Sequence, residues 1–245
     1  MRDLETDRPD QTESPITLDA GHFQVEADLV AYAVSERDGV RLEEIAAPVL
    51  NLKVGVLNQV DLQVVVQPYG SVRIADHSTS PARTSTHSGF GDIQVRTKIN
   101  LWGNDGGDTA LAIMPFIQLP TGDPGLTTDA VEGGVIFPFG VDLVADLAAG
   151  MMWELDIVRD ADDRGYHGEF VQTLTINRDL VKSLSAYVEF YSVVSTETGS
   201  DWLGMFDFGF NYRINRNLKL DAGVNLGITD SAPDWVPFIG VTWRY

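Results

Sequence analysis

Long segments in which apolar and polar residues alternate follow one another along this chain, and no other feature restricts the fold so strongly. Over residues 92–101 one parity reads Asp92, Gln94, Arg96, Lys98 and Asn100, and the other Ile93, Val95, Thr97, Ile99 and Leu101. In a strand those two sets point to opposite faces. Leu218, Leu220, Ala222, Val224, Leu226 and Ile228 are likewise set against Lys219, Asp221, Gly223, Asn225 and Thr229. Phe206, Phe208, Phe210, Tyr212 and Ile214 alternate with Asp207, Gly209, Asn211 and Arg213. Helical periodicity is almost absent. Alternation by itself also suits a soluble sandwich.

Length and turn spacing separate the two. The pattern predicts strands over 22–36, 40–56, 60–75, 88–102, 108–120, 130–138, 141–156, 166–177, 181–195, 201–214, 217–229 and 234–245. Most exceed the five or six residues common in soluble strands and reach the roughly 9–11 that a tilted strand needs to cross a bilayer. Connections after even strands are tight: Leu57-Asn58-Gln59, residues 103–107, Phe139-Gly140, Arg178-Asp179-Leu180 and Asn215-Arg216. Those after odd strands are longer and more polar, at 76–87, 121–129, 157–165 and 196–200. Short turns at one end and long loops at the other are the build of an outer-membrane barrel. The expected fold is therefore all-β, a transmembrane up-and-down antiparallel β-barrel of about 12 strands.

The end of the chain points the same way. Trp235, Pro237, Ile239, Val241, Trp243 and Tyr245 share one parity, and a final aromatic on such a strand resembles the signal read by the barrel-assembly machinery. Trp102, Trp153, Trp202, Trp235 and Trp243 fall near expected strand ends, where aromatic girdles sit. No apolar run of about 18 residues is present, so no spanning helix is expected. No apolar stretch follows Met1, so a secretory signal is expected to have been removed from a protein of the bacterial outer membrane. The net charge is −19, with only Lys53, Lys98, Lys182 and Lys219 as lysines, which argues against nucleic acid as a partner. Expected partners are outer-membrane lipids and a small-molecule solute.

Three groups of residues carry a family resemblance. They are the N-terminal run Thr6-Asp7-Arg8-Pro9-Asp10-Gln11-Thr12-Glu13-Ser14-Pro15 followed by Gly21-His22-Phe23-Gln24-Val25-Glu26, the element Gly89-Phe90-Gly91-Asp92 with Lys98, and Pro115 to Leu119 leading into Pro120-Thr121-Gly122-Asp123. Together they resemble the outer-membrane transporter family named for the MetA pathway of phenol degradation. The resemblance implies a β-barrel that moves small, often aromatic or hydrophobic, compounds across the outer membrane. It carries no catalytic or binding residues over.

If the apolar parity faces lipid, the other parity lines the lumen. The candidates are Glu26, Asp28, Asp92, Arg96, Lys98, Asp142, Asp146, Glu189 and Arg213. Their acidic excess disfavours anions and leaves cations and neutral solutes, though any barrel needs a polar lining. Tyr32, Tyr69, Tyr187 and Tyr191 share that parity and read first as space-filling. Residues 1–20 form a polar segment ahead of a barrel over 21–245. It either hangs in the periplasm or folds into the lumen as a plug, and disorder is the default for such a terminus. Asp160, Asp162 and Asp163 lack Ca²⁺-loop spacing and read as an exposed acidic loop. No cofactor, metal or catalytic residue is expected, because no serine-elbow or zinc-protease motif occurs near His22, His77, His87 or His167. The alternatives are a non-transporting adhesive or bracing barrel, an outer-membrane lipid hydrolase, and a soluble lipocalin-like binder.

Overall fold

The computed structural model describes every residue except 145, 146 and 162–164. Fifteen strands form one antiparallel sheet: β1 (Phe23–Arg37), β2 (Val40–Ala46), β3 (Val49–Leu57), β4 (Val60–Val66), β5 (Gly70–Asp76), β6 (Arg83–Gly89), β7 (Ile93–Trp102), β8 (Thr109–Leu119), β9 (Glu132–Val144), β10 (Leu147–Arg159), β11 (Tyr166–Val181), β12 (Leu184–Ser195), β13 (Leu203–Asn215), β14 (Leu218–Gly227) and β15 (Trp235–Arg244). Pairing of β15 with β1, from Gln24 opposite Arg244 to Val34 opposite Trp235, closes the sheet. The closed wall has twelve strands. Closure satisfies every ladder within the wall and removes the edges that a bilayer does not tolerate.

The second, third and fourth expected strands are each interrupted. Ala47-Pro48 separates β2 from β3, residues 67–69 separate β4 from β5, and 90–92 separate β6 from β7. Proline removes a ladder donor, so the break at Pro48 has a direct cause. Below the breaks β1, β3, β4 and β7 belong to the ring; above them β2, β5 and β6 extend it as a ribbon at the long-loop end. At its tip the β1–β2 hairpin turns on Asp38-Gly39, both at positive φ, as a two-residue hairpin demands.

Two expected turns are displaced. Phe139-Gly140 lies inside β9, with Gly140 opposite Gly150; β9 runs on to Val144 and β10 begins at Leu147. The Pro138-Phe139-Gly140 punctuation looked like a stop, but Phe137, Phe139 and Val141 carry the alternation through it. Arg178-Asp179-Leu180 likewise belongs to β11, which turns at Lys182-Ser183. With β10 starting at Leu147, Trp153 stands mid-strand opposite Phe137 and Gln172 rather than at an end.

The two faces separate cleanly. Along β13, Phe206, Phe208, Phe210 and Tyr212 are exposed while Met205, Asp207, Gly209 and Asn211 are buried. Large apolar side chains are exposed all around the wall, among them Leu52, Leu62, Leu155, Leu174, Val188 and Ile239. Lys53, Asp61, Lys98, Glu189 and Asp207 are buried. A soluble protein does not hide lysines and display a continuous apolar belt. This inversion is that of a transmembrane barrel.

A bulge between Asp28 and Val30 shifts the parity of β1. As a result Tyr32 lies edge-on to the outward Trp235, centroids 5.6 Å apart, not in the lumen. Tyr69 is exposed at the β4–β5 break. Tyr187 is buried and Tyr191 packs against the cluster of Met114, Ile136, Met152 and Val171, so these two do fill space.

Candidate functional site in the barrel lumen

A twelve-stranded wall is too wide for its own side chains to fill. Residues 1–22 occupy the space. They make no strand, yet they bond to β1, β3, β4, β7, β12 and β14 in turn, which only a segment inside the ring can reach.

Asp7 is the central contact. Its carboxylate takes Lys98 Nζ at 2.5 Å and also Lys53 Nζ, while its own N–H donates to Glu26 at 3.2 Å. Lys53 bonds Glu26 as well. All four groups are buried. Two ammoniums and two carboxylates balance there, and buried charges persist only when paired and hydrogen-bonded in this way.

Arg8 reaches the adjoining stretch of wall, where it pairs with Asp28 on β1 at 2.5 Å and Asp221 on β14 at 2.7 Å. Its guanidinium lies 5.7 Å over the Phe238 ring. Gly240 makes room for it, since a Cβ there would sit 2.2 Å from Arg8 Nη2. Glu189 accepts the N–H groups of Gln11 at 2.7 Å and Thr12 at 2.9 Å, plus the Thr12 hydroxyl. Glu13 pairs with Arg96 at 2.5 Å. Asn100 donates to the Pro15 carbonyl at 2.8 Å, and Leu18 N–H donates to Asp61 at 3.0 Å.

Open space remains on both sides of this segment. A cavity of about 760 Å³ at the short-turn end is lined by Asp108, Asp142, Arg213 and Lys219 among others. One of about 260 Å³ on the other side is lined by Asp28, Asn51, Asn225 and Phe238 among others. Arg8, Asp10 and Glu13 border both. Residues 8–13 are therefore the partition between them.

Of the candidates read from sequence, Glu26, Asp28, Arg96, Lys98 and Glu189 converge on the N-terminal segment, and Asp142 and Arg213 line the larger cavity. Asp146 lies outside the described residues. Asp92 stands at the corner before β7, where it holds a loop. The lumen candidates drawn from the alternation omit Thr12, Glu13 and Lys53, and Asp7 and Arg8 stand out only through the family resemblance. Lys53 carried a signal, as one of four lysines in the chain and on the polar parity of its strand.

The Asp92 corner joins the second and third sequence elements of the resemblance. Phe90 N–H donates to Asp123 Oδ2 and Asp123 N–H to Phe90 O, both at 2.8 Å. Asp92 accepts from Gly122 N–H at 2.9 Å and Thr128 N–H at 3.0 Å. Gly89 permits the approach, because a Cβ would meet Asp123 Oδ2 at 2.1 Å. Partial burial pushes the Asp92 carboxyl up, but the amides of Thr128 and Gly122 outweigh it and hold it below its ordinary value. A lowered carboxyl stabilises the clasp fully at neutral pH, and that contribution is lost only as pH falls through the lowered value. Asp92→Ala removes a charged acceptor worth about 1.5–3 kcal/mol. Amide exchange at Gly122 and Thr128 is expected to accelerate roughly tenfold or more; unchanged exchange would show that the clasp does not hold the loop.

A family model described as "Putative MetA-pathway of phenol degradation" matches residues 6–245. The chain belongs to this family. The match takes in the MetA-pathway chain from Thr6 onward, so it includes most of the segment inside the barrel. No curated protein gives a significant match. Among solved structures, an outer-membrane channel from Pseudomonas putida F1 is 13% identical with a TM-score of 0.75, covering 98% of this chain and 100% of that one. The KdgM porin is 9% identical with a TM-score of 0.56, covering 91% and 99%. The translocator domain of the autotransporter NalP from Neisseria meningitidis is 11% identical with a TM-score of 0.52, covering 93% and 90%. At these identities the likeness is one of fold, that of outer-membrane barrels.

Proposed function

We propose that this MetA-pathway protein is an outer-membrane channel for small solutes, aromatic or hydrophobic ones included, whose N-terminal segment narrows the path. The observation that carries the reading is the pair of cavities parted by residues 8–13. A bracing or adhesive barrel needs neither cavity. Solutes pass by diffusion, and the acidic excess of the lining favours neutral or cationic ones over anions. Asp142 and Arg213 line the short-turn mouth, while Glu26, Asp28, Arg96, Lys98 and Glu189 act through the segment they hold. The terminal strand ending at Tyr245 serves as the handle for the assembly machinery.

Deleting residues 1–18 tests the reading in planar bilayers. The deletion removes Asp3, Glu5, Asp7, Asp10 and Glu13 along with Arg2 and Arg8, takes the carboxylate partners of Lys98 and Arg96, and leaves Lys53 with Glu26 alone. Conductance is expected to rise severalfold and selectivity to move toward anions. A heat-dependent shift on SDS gels confirms that the shortened barrel is folded. Unchanged conductance from a folded barrel, or wild-type liposomes that do not swell with any neutral aromatic or sugar solute, would sink the proposal.

A further inference from the structure

The loops at the long-loop end hold a group of ligating side chains that the channel reading does not use. Asp160 follows β10, His167 is the second residue of β11, and Glu197 lies between β12 and β13. One ligating atom from each lies within 4.8 Å of the other two. His167 is the residue that distinguishes this group from an ordinary acidic loop. Its side chain is only 9% exposed, with Nδ1 3.0 Å from Asp160 Oδ1 and Nε2 3.4 Å from Glu169 Oε1. A neutral imidazole carries one N–H. If Nε2–H donates to Glu169, the Nδ1 lone pair faces a carboxylate oxygen, which is repulsive unless a cation lies between them.

An imidazolium would satisfy Asp160 and Glu169 but would not engage Glu197. A divalent ion on Nδ1 leaves the ring neutral and takes the carboxylates of Asp160 and Glu197 together. The remaining contact then has the form that metal-bound histidines adopt, with the far ring N–H donated to a carboxylate that fixes the tautomer. Glu197 is itself positioned, accepting Ala161 N–H at 2.9 Å and the Ser200 hydroxyl at 3.4 Å.

We propose that Asp160, His167 and Glu197 bind a divalent transition metal of the Zn²⁺ class, oriented by Glu169, which ties the β10–β11 loop to the β12–β13 loop. One nitrogen and two carboxylate oxygens, completed by water, suit such an ion at about 2.0–2.2 Å per bond. Ligand atoms on one tetrahedral ion stand about 3.3–3.5 Å apart, so closure asks the side chains to move by about 1 Å. The site does not depend on the barrel conducting.

The test is titration of the full-length protein in detergent with Co²⁺, followed by its visible d–d absorption, and with Zn²⁺ as competitor. One equivalent should give a tetrahedral or five-coordinate spectrum that Zn²⁺ abolishes. His167→Ala should weaken binding at least a hundredfold, and Glu169→Gln tenfold to a hundredfold. His22→Ala, His77→Ala and His87→Ala should bind as wild type. Because all these variants lie outside the pairs that close the barrel, the heat-dependent gel shift should persist in each. Absence of the spectrum in wild type, or equal binding by His167→Ala, overturns the assignment and leaves His167 as a protonated ion-pair partner.

Discussion

Asp7→Asn is expected to unseat the N-terminal segment while leaving the barrel folded. Asparagine keeps the shape but cannot neutralise Lys53 and Lys98, which flank Asp7 from β3 and β7. Lys53 retains Glu26. Lys98 has no second carboxylate within ion-pair distance among the described residues and is buried. Removing one partner of a buried pair costs about 3–5 kcal/mol, equivalent to roughly a hundredfold or more in the seated-to-released ratio. The wall's strand ladders do not involve residue 7. The loss therefore falls on docking of the segment and not on barrel closure. Limited proteolysis should trim the terminus from a barrel that still shows its heat-dependent gel shift, and conductance should approach that of the deletion. Adding Lys98→Met to Asp7→Asn should recover part of the loss, because the stranded ammonium is then gone. Wild-type protease resistance and conductance in Asp7→Asn would show that the ion network does not hold the segment.

The barrel was readable because strand after strand repeats one decision, apolar out and polar in. Errors arose where a local signal competed with that repeat. Gly140 looked like a turn, but opposite Gly150 it continues a ladder. Tyr32 followed the lumen parity until the bulge after Asp28 reversed it, and an extra residue in a strand leaves no mark in an alternation that resumes one step later. The lumen was half legible. Its wall groups, Glu26, Arg96, Lys98 and Glu189, could be named from parity, but their partners could not. Those partners lie on a segment without period, and several are backbone groups, such as the N–H of Gln11 and Thr12 on Glu189. Nothing in a side-chain pattern announces them. The same holds for the clasp: Asp92 and Asp123 stand thirty-one positions apart, and only the fold makes them reciprocal.

Phe208→Arg is expected to prevent or strongly weaken assembly of this barrel in lipid. Phe208 is exposed near the middle of β13, with Val188 and Val224 opposite it on the neighbouring strands. Phe206 and Phe210 share its face. On a water-facing surface, exchanging an exposed phenylalanine for arginine changes stability by within about 0.5 kcal/mol. On a lipid-facing surface near the bilayer midplane it costs about 2–4 kcal/mol, because no water or counter-charge is in reach. The sign of the outcome thus separates a membrane barrel from a water-soluble one with the same fold. Folding into vesicles, followed by the gel shift across a urea series, should show a lower midpoint at unchanged slope, equivalent to that loss of free energy. The matched control is Ser200→Arg, which lies in an exposed loop and should leave the midpoint in place. A Phe208→Arg barrel as stable as wild type would mean that β13 does not face lipid, and the inside-out distribution of Lys53, Lys98 and Asp207 would then need another cause.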